Sequence, residues 1–369
     1  MRLVVAGRVA LSLALGSVLL VGCARFDDSA ASPFTPEPTF APANPKAPKS
    51  TPKPPPRPEG PCIDPDPVVI STCLDSTGGL VGMGQSALVA ERRTGRILET
   101  VPVGESDPQV PPLEIAKVDV DATGDGGITD LALSPTYRED GLIYAYVTTG
   151  SDNRVVRISE GGQAKDILTG IPKGATGNRG ALEFISPTEL LVLTGDAGNP
   201  ALASAPGSLA GKVLRVESPA PGASSEVVLS GLGSGGDLCW DGADSIWVTD
   251  RTAAEDRLQR LTRDGVVSTG WTWPDRPGVA GCAAGPEMVA IAMTGAKALA
   301  IAEVDPKSHA ITTQPAMSIP DKYGRLGGVA AASDGALWVA TVNNDDNHGP
   351  FDDRVLKIPP PAGGGGTPD

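Results

Sequence analysis

The stretch that decides the fold is "GGITDLALSPTYREDGLIYAYVTTGSDNRVVRI", residues 126–158. It contains three β-rich runs, residues 127–133, 143–146 and 154–158, and polar turns separate them. Short runs of β-branched and aromatic residues bounded by Gly, Pro, Asn and Asp predict antiparallel strands with short connections. Almost no long helical periodicity occurs elsewhere in the chain, which argues against an α/β fold. The stretch therefore predicts one sheet of an all-β protein.

The same hairpin recurs six times along the chain. Its first strand begins at Leu88, Ile143, Leu191, Ile246, Val289 and Leu337. The separations of 55, 48, 55, 43 and 48 residues each suit one four-stranded blade. We predict a six-bladed β-propeller over residues 61–358. Seven blades remain the alternative if the region between Cys62 and Leu88 contains a further blade.

The repeat also predicts which loops meet on one face. In an antiparallel blade, the loop before the innermost strand and the loop between the second and third strands open on the same side. Convergent polar loops at the mouth of a propeller are the first place to look for a ligand site. The predicted ligand-binding residues are Asp125, Asn178, Arg179, Asp196, Asp250, Arg251 and Arg325.

The N-terminus has the pattern of a bacterial lipoprotein signal. Arg2 and Arg8 precede an apolar run over residues 9–21. Gly22 and then Cys23 follow this run. We predict a signal peptide over residues 1–22, acylation at Cys23, and anchoring through the lipid to the outer face of the cell membrane. Residues 23–60 are rich in Pro, Ala, Ser and Thr and are expected to form a disordered tether, and residues 359–369 a disordered tail.

Charge and cysteine content narrow the function further. The net charge is −14 with no basic cluster, which excludes nucleic acid as an expected partner. Four cysteines remain after Cys23, an even number typical of disulfides in an exported chain. Cys239 and Cys282 each lie seven residues before a repeated hairpin, so we predict a Cys239–Cys282 disulfide between neighbouring blades. Cys62 and Cys73 form the second predicted pair.

Several stretches resemble the glucose/sorbosone dehydrogenase family of soluble quinoproteins. They include "LVAER" from Leu88, "GALEFISPTELLVLTGDAG" from Gly180, "LAGKVLRV" from Leu209 and "GRLGGVAAASDGALWVATV" from Gly324, besides the stretch quoted above. The resemblance implies a six-bladed propeller that uses pyrroloquinoline quinone and calcium. It also implies a histidine base before the innermost strand of blade three.

The residues expected from this resemblance are largely missing. No histidine occurs in the segment before the blade-three strand, where Gly177 stands. Asp125 stands in place of a glutamine, and Gly233-Ser234 lies where an Arg-Asn pair is expected. Gly327 stands in place of an arginine, and Asp250-Arg251-Thr252 in place of a His-Gly-Pro calcium turn. Asp196 and Arg325 do match. The cofactor therefore stays unknown at this point, because the family implies quinone and calcium but their ligands are mostly absent.

Candidates for residual chemistry are few. The chain has two histidines, of which His309 lies in an outer segment and His348 in a mouth loop. Asp196 and His348 are therefore the catalytic candidates. Asp119 and Asp121, with Asp125, resemble part of a calcium loop but lack its terminal glutamate, so we predict polar turns and no metal site.

Two functions fit these observations. The first is a binding or scaffold module that takes a small molecule, a glycan or a protein at the propeller mouth. The second is a divergent sugar dehydrogenase dependent on pyrroloquinoline quinone. The missing histidine favours the first, and whether the protein is an enzyme stays open.

Overall fold

The computed structural model describes residues 60–104, 107–159, 161–345 and 349–359, which contain six four-stranded antiparallel sheets. The first strand is β1 (Val69–Ser71). Blade one contains β2 (Thr77–Met83), β3 (Ser86–Glu91), β4 (Arg96–Thr100) and β5 (Leu113–Lys117). Blade two contains β6 (Ile128–Leu133), β7 (Leu142–Thr148), β8 (Asn153–Ser159) and β9 (Lys165–Ile171). Blade three contains β10 (Gly180–Ser186), β11 (Glu189–Thr194), β12 (Lys212–Glu217) and β13 (Glu226–Ser230).

The remaining blades follow the same order. Blade four contains β14 (Asp237–Trp240), β15 (Ser245–Arg251), β16 (Asp256–Thr262) and β17 (Val267–Trp273). Blade five contains β18 (Val279–Gly285), β19 (Met288–Met293), β20 (Ala298–Glu303) and β21 (Ala316–Ser318). Blade six contains β22 (Leu326–Ala331), β23 (Leu337–Thr341) and β24 (Val355–Ile358), together with β1. The helical segments are α1 (Tyr137–Asp140), α2 (Pro200–Ser204) and the 3₁₀ turn Asn343–Asp345.

The blades close into a ring. The innermost strands β2, β6, β10, β14, β18 and β22 each contact the next, and β22 contacts β2. Closure is completed by β1, which pairs with β24 so that Val69 lies opposite Leu356. The region before Leu88 thus supplies the outer strand of blade six and the inner strand of blade one. The six-bladed prediction is confirmed, and the described residues contain no seventh blade.

Small residues allow the inner strands to approach one another around the channel. At Gly281 on β18, a Cβ atom would lie 2.7 Å from the Cα atom of Gly328 on β22. A side chain there would force the two blades apart. The glycines that begin or interrupt the inner strands are therefore a packing requirement of this ring.

Apolar side chains fill the space between neighbouring blades. Each of the six junctions has its own buried cluster among the described residues. Trp247 and Trp338 are almost completely buried in two of them. Both faces of the second strand of each blade are covered in this way, which explains why these strands read as nearly continuous apolar runs.

Both predicted disulfides are present. Cys239 on β14 and Cys282 on β18 join the inner strands of blades four and five, with a Cα–Cα distance of 5.8 Å. Cys62 and Cys73 close a short loop around β1. The predicted signal peptide, Cys23, most of the tether and nearly all of the tail lie outside the described residues. Within the described ranges, no helix is long and apolar enough to cross a membrane.

Candidate functional site

Arginines from four different blades lie on the predicted mouth face. Arg92 follows β3, Arg179 precedes β10, Arg251 ends β15 and Arg325 precedes β22. We call these four residues the mouth arginines. The side chains of Arg179 and Arg251 line a narrow opening of about 30 Å³ that leads into the central channel. Arg325 lines a separate cavity of about 360 Å³, together with Lys297 and Lys322.

Arg92 is held rigidly. Its side chain is buried, and Nη1 donates a hydrogen bond of 2.6 Å to the carbonyl oxygen of Gly126. Nη2 donates to Oδ1 of Asp345 at 2.9 Å, which links blade one to the loop of blade six. Asp345 also accepts a hydrogen bond from the hydroxyl of Ser76. The Arg92–Asp345 pair therefore fixes one side of the mouth.

The guanidinium groups of Arg179 and Arg251 have weaker partners. Nη2 of Arg179 lies 3.8 Å from Oδ2 of Asp345, and the side chain donates no hydrogen bond to any described residue. Burial, together with the positive charges of Arg251 and Arg92, lowers the pKa of Arg179 to about 10. Nε of Arg251 makes a long contact of 3.5 Å to the carbonyl oxygen of Gly235, and burial lowers the pKa of this arginine as well. Two weakly held cations thus face the opening.

Asp125 and Asn178 brace the loops rather than line the opening. The carboxylate of Asp125 accepts hydrogen bonds from the backbone N–H of Gly177 at 2.8 Å and from Nδ2 of Asn178 at 2.9 Å. Asn178 is fully buried, and its side-chain oxygen accepts a hydrogen bond from the backbone N–H of Gly174. These contacts join the loop before blade two to the loop before blade three. They set the backbone position from which Arg179 projects.

The carboxylates of Asp196 and Asp250 also accept hydrogen bonds from neighbouring backbone N–H groups. Oδ1 of Asp196 accepts a hydrogen bond of 2.9 Å from the N–H of Gly198. Asp250 is completely buried and accepts from the N–H of Gly233 at 2.8 Å and from Nε of Arg257 at 2.9 Å. Burial raises the pKa of Asp250 although Arg257 opposes this shift. Neither carboxylate lines the opening, and His348 lies outside the described residues.

The backbone at Gly177 leaves no room for the histidine that the resemblance implies. Its φ is +70°, and a Cβ atom would lie 2.4 Å from Oδ1 of Asp196 and 2.5 Å from the backbone nitrogen of Gly198. Contacts this short require the neighbours to move, and the left-handed backbone adds strain for any other residue.

Two further positions of the implied cofactor site also lack the groups that the family resemblance requires. A Cβ atom at Gly327 would lie 2.5 Å from Cγ1 of Val342, so an arginine does not fit there. The carbonyl oxygen of Arg251, in the segment that aligns with the calcium turn, accepts a hydrogen bond of 2.9 Å from the N–H of Ser234. No group of three or more His, Cys, Asp or Glu residues in the described part is placed to hold a metal ion. These residues do not fit the quinone and calcium that the family implies.

Three carboxyl groups in the central channel were not predicted from the sequence. Asp130, Glu183 and Asp237 project from inner strands into a cavity of about 330 Å³ beyond the mouth opening. Oδ2 of Asp130 accepts from the N–H of Leu182 at 2.7 Å, and Oδ2 of Asp237 accepts from the N–H of Cys282 at 2.8 Å. Each bond links one blade to the next.

The channel environment disfavours ionisation of all three groups. Desolvation, reinforced by the nearby Asp237, raises the pKa of Glu183 to about 8. Desolvation raises the pKa of Asp237 to about 7. The pKa of Asp130 is also raised, by desolvation and then by Asp237. The sequence signal that could have revealed this cluster is an acidic residue in three successive inner strands, each otherwise composed of small and apolar residues.

Comparison with known proteins supports the resemblance. The sequence model described as glucose/sorbosone dehydrogenase matches residues 79–230, which extend from blade one to the end of blade three. No protein of curated function matches the sequence.

Solved structures resemble most of the propeller. The PQQ-bound aldose sugar dehydrogenase of Streptomyces coelicolor is 28% identical, with a TM-score of 0.68, over 79% of this chain and 96% of that one. A putative oxidoreductase of Thermus thermophilus, described as a glucose dehydrogenase, is 24% identical, with a TM-score of 0.66, over 79% of this chain and 98% of that one. The soluble aldose sugar dehydrogenase of Escherichia coli, in its apo form, is 17% identical, with a TM-score of 0.63, over 79% and 99%. The last two likenesses concern the fold alone.

Proposed function

Since this chain carries a propeller of the sugar-dehydrogenase type, we propose that it is a lipid-anchored binding module of the cell envelope that has lost quinoprotein catalysis. The mouth of the propeller binds the ligand, and the lipid on Cys23 anchors the chain. The scaffold of an enzyme family does not by itself carry the family's reaction.

The observation that carries the proposal is Gly177. Oxidation of a sugar hydroxyl with loss of hydride needs a base within hydrogen-bond reach of the proton. At the position of that base, the backbone is left-handed and is packed against Asp196 and Gly198. Neither a histidine nor a shorter side chain fits without rearrangement. The glycine at 327 supports the same conclusion for cofactor binding.

A dye-reduction assay tests the loss of catalysis. Purified protein is mixed with glucose or other aldoses, pyrroloquinoline quinone and calcium, with the Streptomyces coelicolor aldose sugar dehydrogenase as the positive control. We expect no turnover above the protein-free rate. Turnover that disappears in Asp196→Asn or His348→Ala would instead establish a divergent sugar dehydrogenase, the second candidate, which the 28% identity to the Streptomyces enzyme favours.

Anchoring at Cys23 is a separate part of the proposal. The apolar run over residues 9–21 is shorter than a membrane-spanning helix, and Cys23 follows a small residue, Gly22. We expect Cys23→Ala to abolish incorporation of labelled fatty acid in a bacterial host and to release the protein from the membrane fraction. Labelling of the mutant would contradict the lipoprotein assignment.

A further inference from the structure

Arginines are concentrated at the mouth of this acidic protein, where they lie near the carboxylates of Asp125, Asp250 and Asp345. The chain as a whole has a net charge of −14, yet four arginines converge on this face. Arg179 and Arg251 are close enough for the charge of Arg251 to disfavour protonation of Arg179, and Arg92 and Arg325 extend the series on either side. Like charges in a partly buried site repel strongly, so the arrangement needs compensation.

The nearby carboxylates are already engaged. Asp345 accepts from Arg92 and Ser76, and lies 3.8 Å from Arg179. Asp125 accepts from the loop that contains Gly177, and Asp250 is paired with Arg257. Asp256, the carboxylate with the strongest influence on the pKa of Arg251, accepts from the backbone N–H groups of Gly278 and Val279. Asp130 and Asp237 line the same opening, but each accepts a backbone N–H from the next blade, and desolvation raises the pKa of both. Within the described residues, neither Arg179 nor Arg251 donates a hydrogen bond to a carboxylate. Their charge is therefore available to an external anion.

We propose that Arg179 and Arg251 together bind a small molecule through a carboxylate or phosphate group at the channel opening. A guanidinium group presents a planar set of donors that matches either oxyanion in a bidentate manner. An anion between the two side chains would also relieve their mutual repulsion. The inference rests on the proposed function in taking the mouth as the ligand site, and it specifies the chemistry of the ligand.

The surroundings set the size and orientation of the ligand. The opening of about 30 Å³ exceeds the roughly 10–15 Å³ that one water requires, so it admits an anionic group but not a sugar ring. Gly235 has a φ of +97°, and a Cβ atom there would lie 3.0 Å from Cβ of Arg179. This glycine keeps space free beside Arg179. The anionic group thus enters the opening while the remainder of the molecule stays on the mouth face.

Three matched hexoses test the proposal by isothermal titration calorimetry on the full propeller. Glucuronate supplies a carboxylate, glucose 6-phosphate a phosphate, and glucose neither. We expect at least one of the two anions to bind, and glucose not to bind. Arg179→Gln and Arg251→Gln should each weaken that binding about tenfold or more, as the loss of a charge-assisted hydrogen bond predicts. Arg215→Gln is the control, because Arg215 pairs with Glu189 on blade three away from the opening.

The outcomes separate this inference from the proposed function. Three results would overturn the anion site: equal binding of glucose and glucuronate, no binding of either anion at millimolar concentration, or unchanged binding in Arg179→Gln. Equal binding of glucose and glucuronate would still be consistent with the proposed binding module. Calcium-dependent displacement of the bound hexose by pyrroloquinoline quinone, together with dye reduction, would support the arginine site and contradict the loss of catalysis. Near-ultraviolet circular dichroism confirms that each variant is folded.

Discussion

Gly177 and Gly141 both have a left-handed backbone, with φ of +70° and +61°, but their surroundings differ. A Cβ atom at Gly177 would meet Asp196 and Gly198, whereas no heavy atom lies within 4 Å of a Cβ at Gly141. Ala at either position costs about 1–2 kcal/mol from the backbone conformation. We expect Gly177→Ala to lose about 2 kcal/mol more than Gly141→Ala, because of overpacking. Urea unfolding measures both, and equal losses would mean that the crowding at Gly177 is absent.

Glu183 makes the stability depend on pH. Its pKa is raised to about 8 in the folded protein, from 4.5, so the folded state binds more protons than the unfolded chain between these values. The free energy of unfolding should therefore fall as pH rises through this window and level off above it. We expect Glu183→Gln to make this slope shallower, as followed by melting temperature across the window. Asp237 and Asp130, whose pKa values are also raised, keep the remainder of the slope. Glu189→Gln is the control, because Glu189 lies outside the channel at the start of β11 and pairs with Arg215 on β12. This variant should keep the wild-type slope, and a wild-type slope in Glu183→Gln would contradict the shift.

At the residue scale, the sequence predicted which loops meet but not how each side chain is used. Arg179 and Arg251 were placed on the mouth face and do line its opening. Asp196 and Asp250 share that face in sequence, yet their carboxylates satisfy backbone N–H groups and Arg257. Loop position follows from the strand repeat, whereas side-chain direction follows from three-dimensional hydrogen bonding that no sequence period encodes.

The Cys239–Cys282 disulfide joins two inner strands that are separated by 43 residues. In the chain-entropy model a loop of this length stabilises the fold by about 4 kcal/mol, against about 3 kcal/mol for the shorter Cys62–Cys73 loop. We expect the double variant Cys239→Ala/Cys282→Ala to lose more stability than Cys62→Ala/Cys73→Ala in urea unfolding under non-reducing conditions. The reverse order would show that closing the strand β1 matters more than joining blades four and five.

Among the elements, the repeated hairpins were predictable and the closing strand was not. The six anchors from Leu88 to Leu337 all lie on second strands of blades, because a buried strand flanked by polar turns has a clear sequence signature. In contrast, β1 has only three residues, Val69–Ser71, and its partner β24 lies at the opposite end of the propeller sequence. A pairing between two segments so far apart in the chain leaves no local pattern in the sequence from which it could be predicted.

For the whole molecule, the ring separates the residues that hold the blades together from the residues at the mouth. The buried clusters lie between blades, while the mouth residues lie on loops at one end of the strands. Gly177 precedes β10 and Gly327 lies in β22 beside the mouth opening, and neither belongs to a blade-junction cluster. A ligand site can therefore change its chemistry on an unchanged frame.

The most direct measurement of the central claim is retention of pyrroloquinoline quinone after equilibrium dialysis in the presence of calcium. Protein absorbance at the quinone's visible and near-ultraviolet bands reports the bound cofactor, and the Streptomyces coelicolor aldose sugar dehydrogenase serves as the positive control. Gly177 and Gly327 stand where the family resemblance implies a histidine and an arginine, and neither has room for a side chain. On the proposed loss of the quinoprotein reaction, we predict that the dialysed protein retains no calcium-dependent quinone. Stoichiometric retention that calcium chelation reverses would contradict the account.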